Sequence, residues 1–347
     1  MTQHNDCPRP RVAVIILNWN GAKLLREFLP SVLKFTPSDL GRVIVADNGS
    51  TDDSLKVLAE EFPQSEVLRF DTNYGFAEGY NRAIKHYATE YQLAVLLNSD
   101  VAVDSDWLTP LVSYMDTHPQ TGALQPKILS YREHGKFEYA GACGGFIDRN
   151  GYPYCRGRIF DTVEEDKGQY DTAMPVFWAT GAALMVRCDA YLAAGGLDAK
   201  FFAHMEEIDL CWRMNLLGYE VAVEPASHIY HLGGGSLDMK NPRKTYLNFR
   251  NNLLMLHRNL PDRVRSRRLF IRRLLDTVAW IKSAATMHWG DACAILRAHR
   301  DYRKMNRDLT MINTDGPDLI RSLPEGRKNV LTAYYIHGKH TFRSIQS

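Results

Sequence analysis

The chain has 347 residues, of which 45% are hydrophobic and 24% are charged, a balance that excludes a disordered protein and is typical of a folded one. A chain of this length can bury a sizeable core without disulfide bonds, and it indicates one large domain or two smaller ones. The net charge of +2 conceals an uneven distribution. Residues 258–304 contain twelve Lys or Arg and four Asp or Glu, a surplus of +8, so the remainder of the chain carries −6.

Targeting and redox signals are sparse in this sequence. Residues 1–10 are polar, contain no apolar core of a signal peptide and are expected to be disordered. No run of about 18 apolar residues predicts a membrane span. None of the six cysteines forms a C-x-x-C pair, so we expect no zinc site and reduced thiols in a cytoplasmic protein.

The first hundred residues alternate between short apolar runs and amphipathic segments. This alternation predicts an α/β domain with a doubly wound, mostly parallel sheet. In such sheets ligands bind at the carboxyl ends of the strands, where Asn18, Asp47 and Asp100 fall, so we expect one shared crevice. The predicted strands are residues 12–17, 42–46, 66–70 and 93–97.

After residue 123 the alternation is less regular. A helix is expected over residues 206–217, with Gly218 as its C-cap, and a short strand over residues 221–223. From residue 242 onward the chain is expected to be helical and basic.

Asp100 and His231 are the candidates for a metal site. A carboxylate directly after a buried strand can hold Mg²⁺ or Mn²⁺ against two phosphates, and an imidazole suits Mn²⁺ better than Mg²⁺. The alternatives are a helix N-cap and a structural histidine. Asp47 could accept hydrogen bonds from a base or ribose, or serve only a turn. The glycine-rich loop, residues 233–235, would let backbone amides approach a pyrophosphate.

An acidic cluster, Glu206, Glu207 and Asp209, lies at the expected start of a helix. Carboxylates stabilise a helix N-terminus, which is the structural interpretation. The functional interpretation is a general base for an acceptor hydroxyl. The preceding FFAHM segment, residues 201–205, would place at least one carboxylate beside a low-dielectric wall, and burial raises the pKa of a glutamate above about 4.3.

Seven sequence blocks follow one another along the chain. They are VAVIILNWNG (12–21), VIVADNGSTDDS (43–54), NYGFAEGYNRAI (73–84), LLNSDV (96–101), WATGAALMV (178–186), GLDAKFFAHMEEIDLCWRMNLLGY (196–219) and YHLGGGS (230–236). In this order the first four blocks resemble the donor half of the family 2 glycosyltransferases, and the last three resemble the acceptor half. The resemblance covers roughly residues 11–240 and is greatest to the rhamnosyltransferase-like branch that builds bacterial surface polysaccharides.

The resemblance implies a GT-A fold, an inverting mechanism and a divalent cation, Mg²⁺ or Mn²⁺. The implied partners are a nucleotide-diphospho-sugar donor and a saccharide or lipid-linked saccharide acceptor. Asp100, with His231 as a second ligand, would bind the cation, and the acidic cluster would supply the base. The residues expected to form the donor site are Asn18, Asn20, Asp47, Asn48, Asn73, Gly75, Asn81, Asn98 and Asp100.

Two positions depart from the family's pattern. The metal motif often reads Asp-x-Asp, whereas its first position here is Asn98, so the expected metal dependence rests on Asp100 with His231. The base motif often reads Glu-Asp, whereas this chain has two successive glutamates. We expect Glu207 to be the base, with Glu206 and Asp209 as substitutes or supporting residues.

The predicted domains are a catalytic domain, residues 11–240, and a helical basic region, residues 241–347. Within residues 263–289, apolar side chains recur at helical spacing among arginines. Such a helix suits an anionic membrane surface, which predicts a peripheral location on the inner face of the cytoplasmic membrane. The alternative is a helix that packs its apolar face on the catalytic domain and leaves its arginines in water. No recognition motif accompanies the charge, so we expect no nucleic-acid partner.

The residues after the first strand disfavour two rival functions, and a third is left open. A nucleotidyltransferase would have a glycine- and arginine-rich phosphate loop after the first strand, where this chain has residues 18–21, NWNG. A dehydrogenase would have a G-x-G-x-x-G motif at the same place. The third alternative is a catalytically weak sugar-nucleotide-binding scaffold at the membrane, which only donor turnover would distinguish from an enzyme.

Overall fold

The computed structural model describes residues 11–233 and 241–347. The predicted disordered segment 1–10 and two glycines of the glycine-rich loop, Gly234 and Gly235, lie outside the described residues. The strands are, in chain order, β1 (Val12–Asn18), β2 (Gly41–Asp47), β3 (Glu66–Arg69), β4 (Leu93–Leu97), β5 (Val101–Ala102), β6 (Thr121–Ser130), β7 (Gly145–Ile147), β8 (Pro153–Cys155), β9 (Arg158–Ile159), β10 (Thr162–Val163), β11 (Met174–Val176), β12 (Ala183–Arg187) and β13 (Glu220–His231).

The central sheet has the strand order β11-β13-β6-β12-β4-β1-β2-β3, and β5 also pairs with β13. β1 is parallel to β2 and β4, β2 is parallel to β3, and β6 is parallel to β13. β12 runs antiparallel to both of its neighbours, β4 and β6. Two further strands, β5 and β11, run antiparallel to β13. The prediction of a mostly parallel α/β sheet is therefore confirmed, with three reversed strands that the apolar pattern does not reveal.

Helices connect the strands and form most of the chain after residue 241. The predicted helix over residues 206–217 is present one residue shorter, and Gly218 follows it with φ +88°. The helices are α1 (Ala22–Phe35), α2 (Ser54–Glu61), α3 (Gly75–Tyr87), α4 (Leu108–Thr117), α5 (Cys188–Ala193), α6 (Glu206–Leu216), α7 (Pro242–Asn259), α8 (Asp262–Ala285), α9 (Trp289–Met305), α10 (Leu319–Ser322), α11 (Val330–Tyr335) and α12 (Phe342–Gln346), with 3₁₀ turns at Ala199–Phe201, Asn306–Asp308 and Glu325–Arg327.

Both faces of the central sheet are covered. Successive β1 side chains point to opposite faces, so Val14 packs with α1, α2 and α4 whereas Ile15 packs with α3 and α6. Burial on both faces explains why the first strands are continuous apolar runs. The second of these cores also contains Leu253 and Leu256 of α7, so side chains from both predicted domains share it.

Two features of the second half of the chain are not predicted by the sequence. β7 to β10 form a separate antiparallel sheet of four short strands. The strand predicted over residues 221–223 is the beginning of β13, which is 12 residues long. β13 has a bulge between Glu224 and His228, where its register with β6 shifts. Pro225 lies in this bulge and has no backbone N–H to donate to a ladder.

Helix α8 presents its apolar side chains to the outside. Arg268 and Arg272 are only 6% and 2% exposed. Arg268 pairs with Asp318 through two contacts of 2.9 Å, and Arg272 pairs with Asp276 at 2.9 Å. The alternative of an apolar face packed inward with arginines in water is therefore wrong for these two arginines, because the carboxylates of Asp318 and Asp276 bind them inside the protein. The exposed side chains form what we call the α8 stripe: Phe270, Leu274, Val278 and Ile281, each 53–63% exposed.

Among the described helices, none is both long and apolar enough to cross a bilayer. The cysteines in the same ranges, Cys143, Cys155, Cys188, Cys211 and Cys293, are free thiols.

Candidate active site

The carboxyl ends of β1 and β2 lie side by side and carry a polar cluster. Asn18 and Asp47 are register partners, and both are buried. Asn18 Nδ2 donates to Asp47 Oδ2 at 3.0 Å and to Ser50 Oγ at 3.2 Å, while Asp47 Oδ1 accepts from the Ser50 N–H at 3.0 Å. Asn18 Oδ1 is buried and has no partner among the described residues. The cluster is thus fixed by its own hydrogen bonds and keeps one acceptor free for a ligand.

Asn20 secures the turn that follows β2. Its φ is +51°, and its Oδ1 accepts from the backbone N–H groups of Thr51 at 2.8 Å and Asp52 at 3.3 Å. Its own N–H donates to Ser50 Oγ at 2.9 Å. These contacts favour a role in shaping the edge of the crevice.

Asn48 ties the loop before α3 to the end of β2. Its Nδ2 donates to Asn73 Oδ1 at 3.0 Å and to the Gly75 carbonyl at 3.1 Å, and its Oδ1 accepts from the Tyr74 N–H at 3.0 Å. Gly75 has φ +76°, a left-handed conformation that favours glycine. Asn48 is thereby joined to Asn73 and Gly75, which lie 25 and 27 residues further along the chain, and the three residues form one rigid corner.

Asn81 lies on α3 and faces the acceptor half. Its Nδ2 donates to the Leu197 carbonyl at 2.8 Å, and its Oδ1 accepts from Tyr191 Oη at 2.7 Å and from the Leu197 N–H at 2.9 Å. Both amide atoms are engaged within the protein, which favours a positioning role. Its place in the donor site stays a prediction.

Asp100 and His231 meet where β5 pairs with the end of β13. Asp100 Oδ1 lies 3.1 Å from His231 Nε2, and Asn98 Nδ2 lies 3.3 Å from the same nitrogen. Glu138, which the sequence analysis missed, has its Oε2 3.4 Å from His231 Nδ1. No sequence signal marks Glu138, because it reaches the site from an irregular segment after β6.

The charges of Asp100 and Glu138 determine the protonation of His231. Burial alone would lower the pKa of His231, but its contacts with Asp100 and Glu138 outweigh burial and raise the pKa to about 10. Burial alone would raise the pKa of Asp100, yet the hydrogen bond and charge of His231 lower it. Both shifts favour an imidazolium at His231 between the carboxylates of Asp100 and Glu138.

The same pair fits a divalent cation. A carboxylate oxygen and an imidazole nitrogen are both ligand types for Mn²⁺, and Asp100 Oδ1 and His231 Nε2, 3.1 Å apart, are close enough to bind the same ion. A cation bound there would replace the imidazole proton. In the described ranges, no three His, Cys, Asp or Glu side chains form a group that could hold a metal ion. Substrate oxygens would have to supply the remaining ligands, as phosphates do for Mg²⁺ in many enzymes.

Glu206 and Glu207 begin α6 after a strained segment. Phe202, His204 and Met205 all have positive φ, which is uncommon outside glycine and is often retained at functional sites. Burial raises the pKa of Glu207 to about 7. Burial and the neighbouring Glu207 charge raise the pKa of Glu206 well above its ordinary value. One carboxylate oxygen of each is buried without a partner in the described chain.

Asp209, one turn into α6, has a different environment. It is fully buried, its Oδ2 pairs with Arg213 Nε at 2.8 Å and lies 3.4 Å from Arg258, and its Oδ1 accepts from Asn259 at 2.7 Å. These contacts link α6 to the end of α7. They favour a structural role for Asp209 over the supporting catalytic role expected from the sequence.

A groove of about 1010 Å³ leads away from Glu207. Its walls come from Thr180, α6, α7, α8, the four-stranded sheet and α11, so residues far apart in sequence line one space. Glu206 does not line it. A β-carbon on Gly181 would lie 3.7 Å from Glu207 Cβ and 3.6 Å from Phe76 Cζ, which places Glu207 where the groove meets the start of α3. No pattern in the sequence predicts this groove.

Comparison with known proteins identifies relatives of similar architecture. The family model "Glycosyl transferase family 2" matches residues 13–162. An N-acetylglucosaminyl-diphospho-decaprenol L-rhamnosyltransferase of Mycobacterium tuberculosis is 26% identical over 234 residues, which are 63% of this chain and 75% of that protein. The rhamnosyltransferase WbbL of Escherichia coli is 24% identical over 199 residues, covering 55% and 72% of the two chains.

Solved structures support the fold. A mannosyltransferase of Pyrobaculum calidifontis, solved with GDP-Man and Mn²⁺, aligns with a TM-score of 0.50 and 16% identity over 87% of this chain and 85% of its own. GalNAc-T7, solved with UDP, GalNAc and Mn²⁺, aligns with a TM-score of 0.53 and 15% identity over 72% of this chain, which spans about half of that protein, 48%.

The strand order, the polar residues at the strand ends and the match over residues 13–162 agree with one another. The fold is the GT-A type expected from the sequence, and residues 13–162 of the chain match glycosyl transferase family 2.

Proposed function

We propose that this enzyme transfers a sugar, with inversion, from a nucleotide-diphospho-sugar to an acceptor hydroxyl, and that Glu207 is the general base. The observation that carries the proposal is Glu207 itself. It lines a large groove, burial raises its pKa to about 7, and one of its oxygens lacks a partner among the described residues. A base with this pKa is half deprotonated near neutrality and still strong enough to take a proton.

The donor occupies the carboxyl ends of β1, β2 and β4. Asn18 and Asp47 face the nucleoside, and the corner held by Asn48 shapes the adjoining wall. Asp100 and His231 would hold a divalent cation, Mg²⁺ or Mn²⁺, which would supply positive charge against the leaving diphosphate. The 3.1 Å separation of these two ligand atoms supports this assignment.

The transfer is a single displacement. The acceptor O–H donates its proton to Glu207 as the oxygen forms a bond to the anomeric carbon. The bond from that carbon to the nucleoside diphosphate breaks on the opposite face, and the leaving group keeps the electron pair. Attack opposite the leaving group inverts the configuration.

The relatives suggest the substrates to test first. The M. tuberculosis relative is named for a rhamnosyl donor and a lipid-linked diphosphate acceptor. A nucleoside-diphosphate rhamnose is therefore the first donor to test, and a lipid-linked saccharide of bacterial surface polysaccharide synthesis is the first acceptor. Val278 supports the lipid-linked acceptor, because it lines the groove and belongs to the exposed α8 stripe.

The test of the base is Glu207→Gln, with Glu206→Gln as a matched control. General-base help contributes about 10²–10⁴-fold, so Glu207→Gln should lower the transfer rate by that factor and keep donor affinity. Glu206→Gln should retain the rate within about tenfold, because Glu206 does not line the groove. Unchanged transfer in Glu207→Gln, or loss of donor binding in that variant, would reject the role.

We also propose that the α8 stripe rests on an anionic membrane surface, on the inner face of the cytoplasmic membrane. Exposed Arg267, Arg273 and Lys282 lie on the same helix, so apolar insertion and attraction to anionic lipid would act together. The free thiols of the described cysteines agree with a reducing compartment. The full chain should sediment with vesicles of phosphatidylglycerol and phosphatidylethanolamine at low salt.

Leu274→Glu should weaken that sedimentation. Leu217→Glu is the matched control, since Leu217 is 54% exposed at the end of α6 and Leu274 is 53% exposed on α8. Equal binding of the two variants would exclude the α8 stripe as the contact.

A further inference from the structure

Several buried arginines differ sharply in how the protein satisfies them. Arg268 has two contacts with Asp318, and Arg213 has Asp209 and two carbonyls. Arg156 donates to the carbonyls of Cys143, Tyr170 and Thr172. Arg158 has far less compensation, although it is only 8% exposed.

Arg158 lies on β9 of the four-stranded sheet. Its Nη1 donates to the Phe160 carbonyl at 3.2 Å and its Nη2 donates to Cys155 Sγ at 3.4 Å, a weak acceptor. Its Nε has no partner. No carboxylate of the described residues lies within 4.0 Å of its guanidinium, and Glu138 acts on it only from a greater distance. Two of the five N–H donors are therefore used, and the positive charge has no adjacent counter-ion.

A buried charge without a close partner is unfavourable, so an anionic ligand is the simplest way to complete this site. The position of Arg158 agrees with such a ligand. It lines the same groove as Glu207, and its guanidinium lies 4.4 Å from the centroid of the Tyr139 ring. Lys244, which also lines the groove, has its Nζ 5.0 Å from the centroid of that ring. Two cations thus flank one aromatic side chain in the groove.

We propose that Arg158, together with Lys244 and Tyr139, forms a binding subsite for a phosphate ester in this groove. Guanidinium groups bind phosphate oxygens through two parallel N–H donors, and Arg158 has donors to spare. The inference rests on the proposed function, since it assigns the groove to substrate. A diphosphate could come from the nucleotide donor or from a prenyl-linked acceptor, and the chemistry of the subsite is the same for both.

The test measures equilibrium binding to the full chain, so it does not depend on Glu207 as a base. Calorimetric titration with UDP, GDP and dTDP in the presence of Mn²⁺ probes the donor source. Titration with farnesyl diphosphate, which lacks a nucleoside, probes the acceptor source. Arg158→Gln should weaken binding of one of these classes by about 10- to 100-fold, as expected for loss of a charged hydrogen bond. The class that weakens identifies the source of the phosphate.

Three variants serve as controls. Arg158→Lys keeps the charge but loses the paired donors, so it should bind better than Arg158→Gln and worse than the native chain. Arg243→Gln removes the same charge from an exposed side chain outside the groove and should bind like the native chain. Arg156→Gln, which breaks bonds to three carbonyls, should lower the thermal unfolding midpoint, whereas Arg158→Gln should leave it unchanged or raise it.

Two results would overturn the subsite. One is native affinity of Arg158→Gln for both ligand classes. The other is a fall in the unfolding midpoint of Arg158→Gln equal to that of Arg156→Gln, which would make Arg158 a structural arginine.

Discussion

The two sides of the crevice handle buried polar groups in opposite ways. At the ends of β1 and β2, Asn18, Asp47 and Asn48 bond mainly to one another and to their own loops. At the start of α6 and in the groove, Glu206, Glu207 and Arg158 each retain a buried atom without a partner in the described ranges. Of the three residues named on the first side, only Asn18 has such an atom, its Oδ1. Buried polar atoms are normally satisfied, so the exceptions are concentrated on the second side.

The difference indicates how each side works. A donor site that bonds to itself is formed before the ligand arrives, so little ordering is required on binding. A base must keep its lone pair available and its pKa raised, and both require that the protein leave it unsatisfied. The buried polar atoms without a partner therefore lie mainly where the protein is proposed to accept a proton or to bind a charged ligand.

Substitution of Asp209 should give the largest effect and tests this contrast. Both of its carboxylate oxygens have partners, although it lies on α6 near groups that lack them. Asp209→Ala should lower the free energy of unfolding by about 3–5 kcal/mol, since it leaves Arg213 without its buried partner. Denaturant unfolding would measure it. A loss below 1 kcal/mol, with transfer abolished, would instead support Asp209 as a catalytic residue.

The pH dependence of transfer tests the unsatisfied base directly. Glu207 acts when deprotonated, and burial raises its pKa to about 7, so the rate should rise with pH through that value. From pH 8 down to pH 5 we expect a loss of about 100-fold, tenfold for each unit below the pKa. Donor affinity measured at the same pH values is the control. A rate that is flat over this range would contradict the assignment.

Substitution of Asn48 tests the side of the crevice whose polar groups bond to one another. Asn48→Ala removes three hydrogen bonds and leaves the Tyr74 N–H without its acceptor, which should cost about 1–3 kcal/mol of stability. Donor affinity should fall, while the acid limb of the pH profile should stay near 7. A shifted limb with normal donor affinity would show that the two sides are not separable.

Glu206 should give an effect of the opposite sign, an increase in stability. Its pKa is raised on folding, so the folded chain retains a proton that the unfolded chain releases as pH rises above about 4.5, and stability falls. Glu206→Gln should remove this fall and stabilise the protein at pH 8 by roughly 1.4 kcal/mol for each unit of the shift. At pH 4 the variant and the native chain should unfold alike. Thermal unfolding at both pH values would measure it.

The sequence predicts those strands and helices whose structure is determined by local pattern. β1, β2 and β4 are apolar because both sheet faces are covered, and their ends follow from the turn residues. The helix beginning at Glu206 was located to the residue. The donor and base residues were chosen from the family resemblance, and their roles stay predictions.

The remainder depended on contacts between distant residues. Glu138 reaches His231 across almost a hundred residues, and the groove combines α6 with α8 and α11. The strands β7 to β10 have two or three residues each, too few for a period to show. The sequence does not predict the burial of Arg268 and Arg272 on α8, because this burial depends on their pairing with Asp318 and Asp276 rather than on the apolar pattern of the helix.

The bulge in β13 has a consequence for changes in chain length. Between Glu224 and His228 the strand contains three residues that β6 does not match, and Ser227 is held there by its bond to the Trp107 carbonyl. Successive strand residues point to opposite faces, so deletion of one bulge residue would turn His231 away from Asp100 and bring Leu232 into its place. Insertions and deletions should therefore be tolerated in surface loops and rejected in this short segment, although it lies outside every motif.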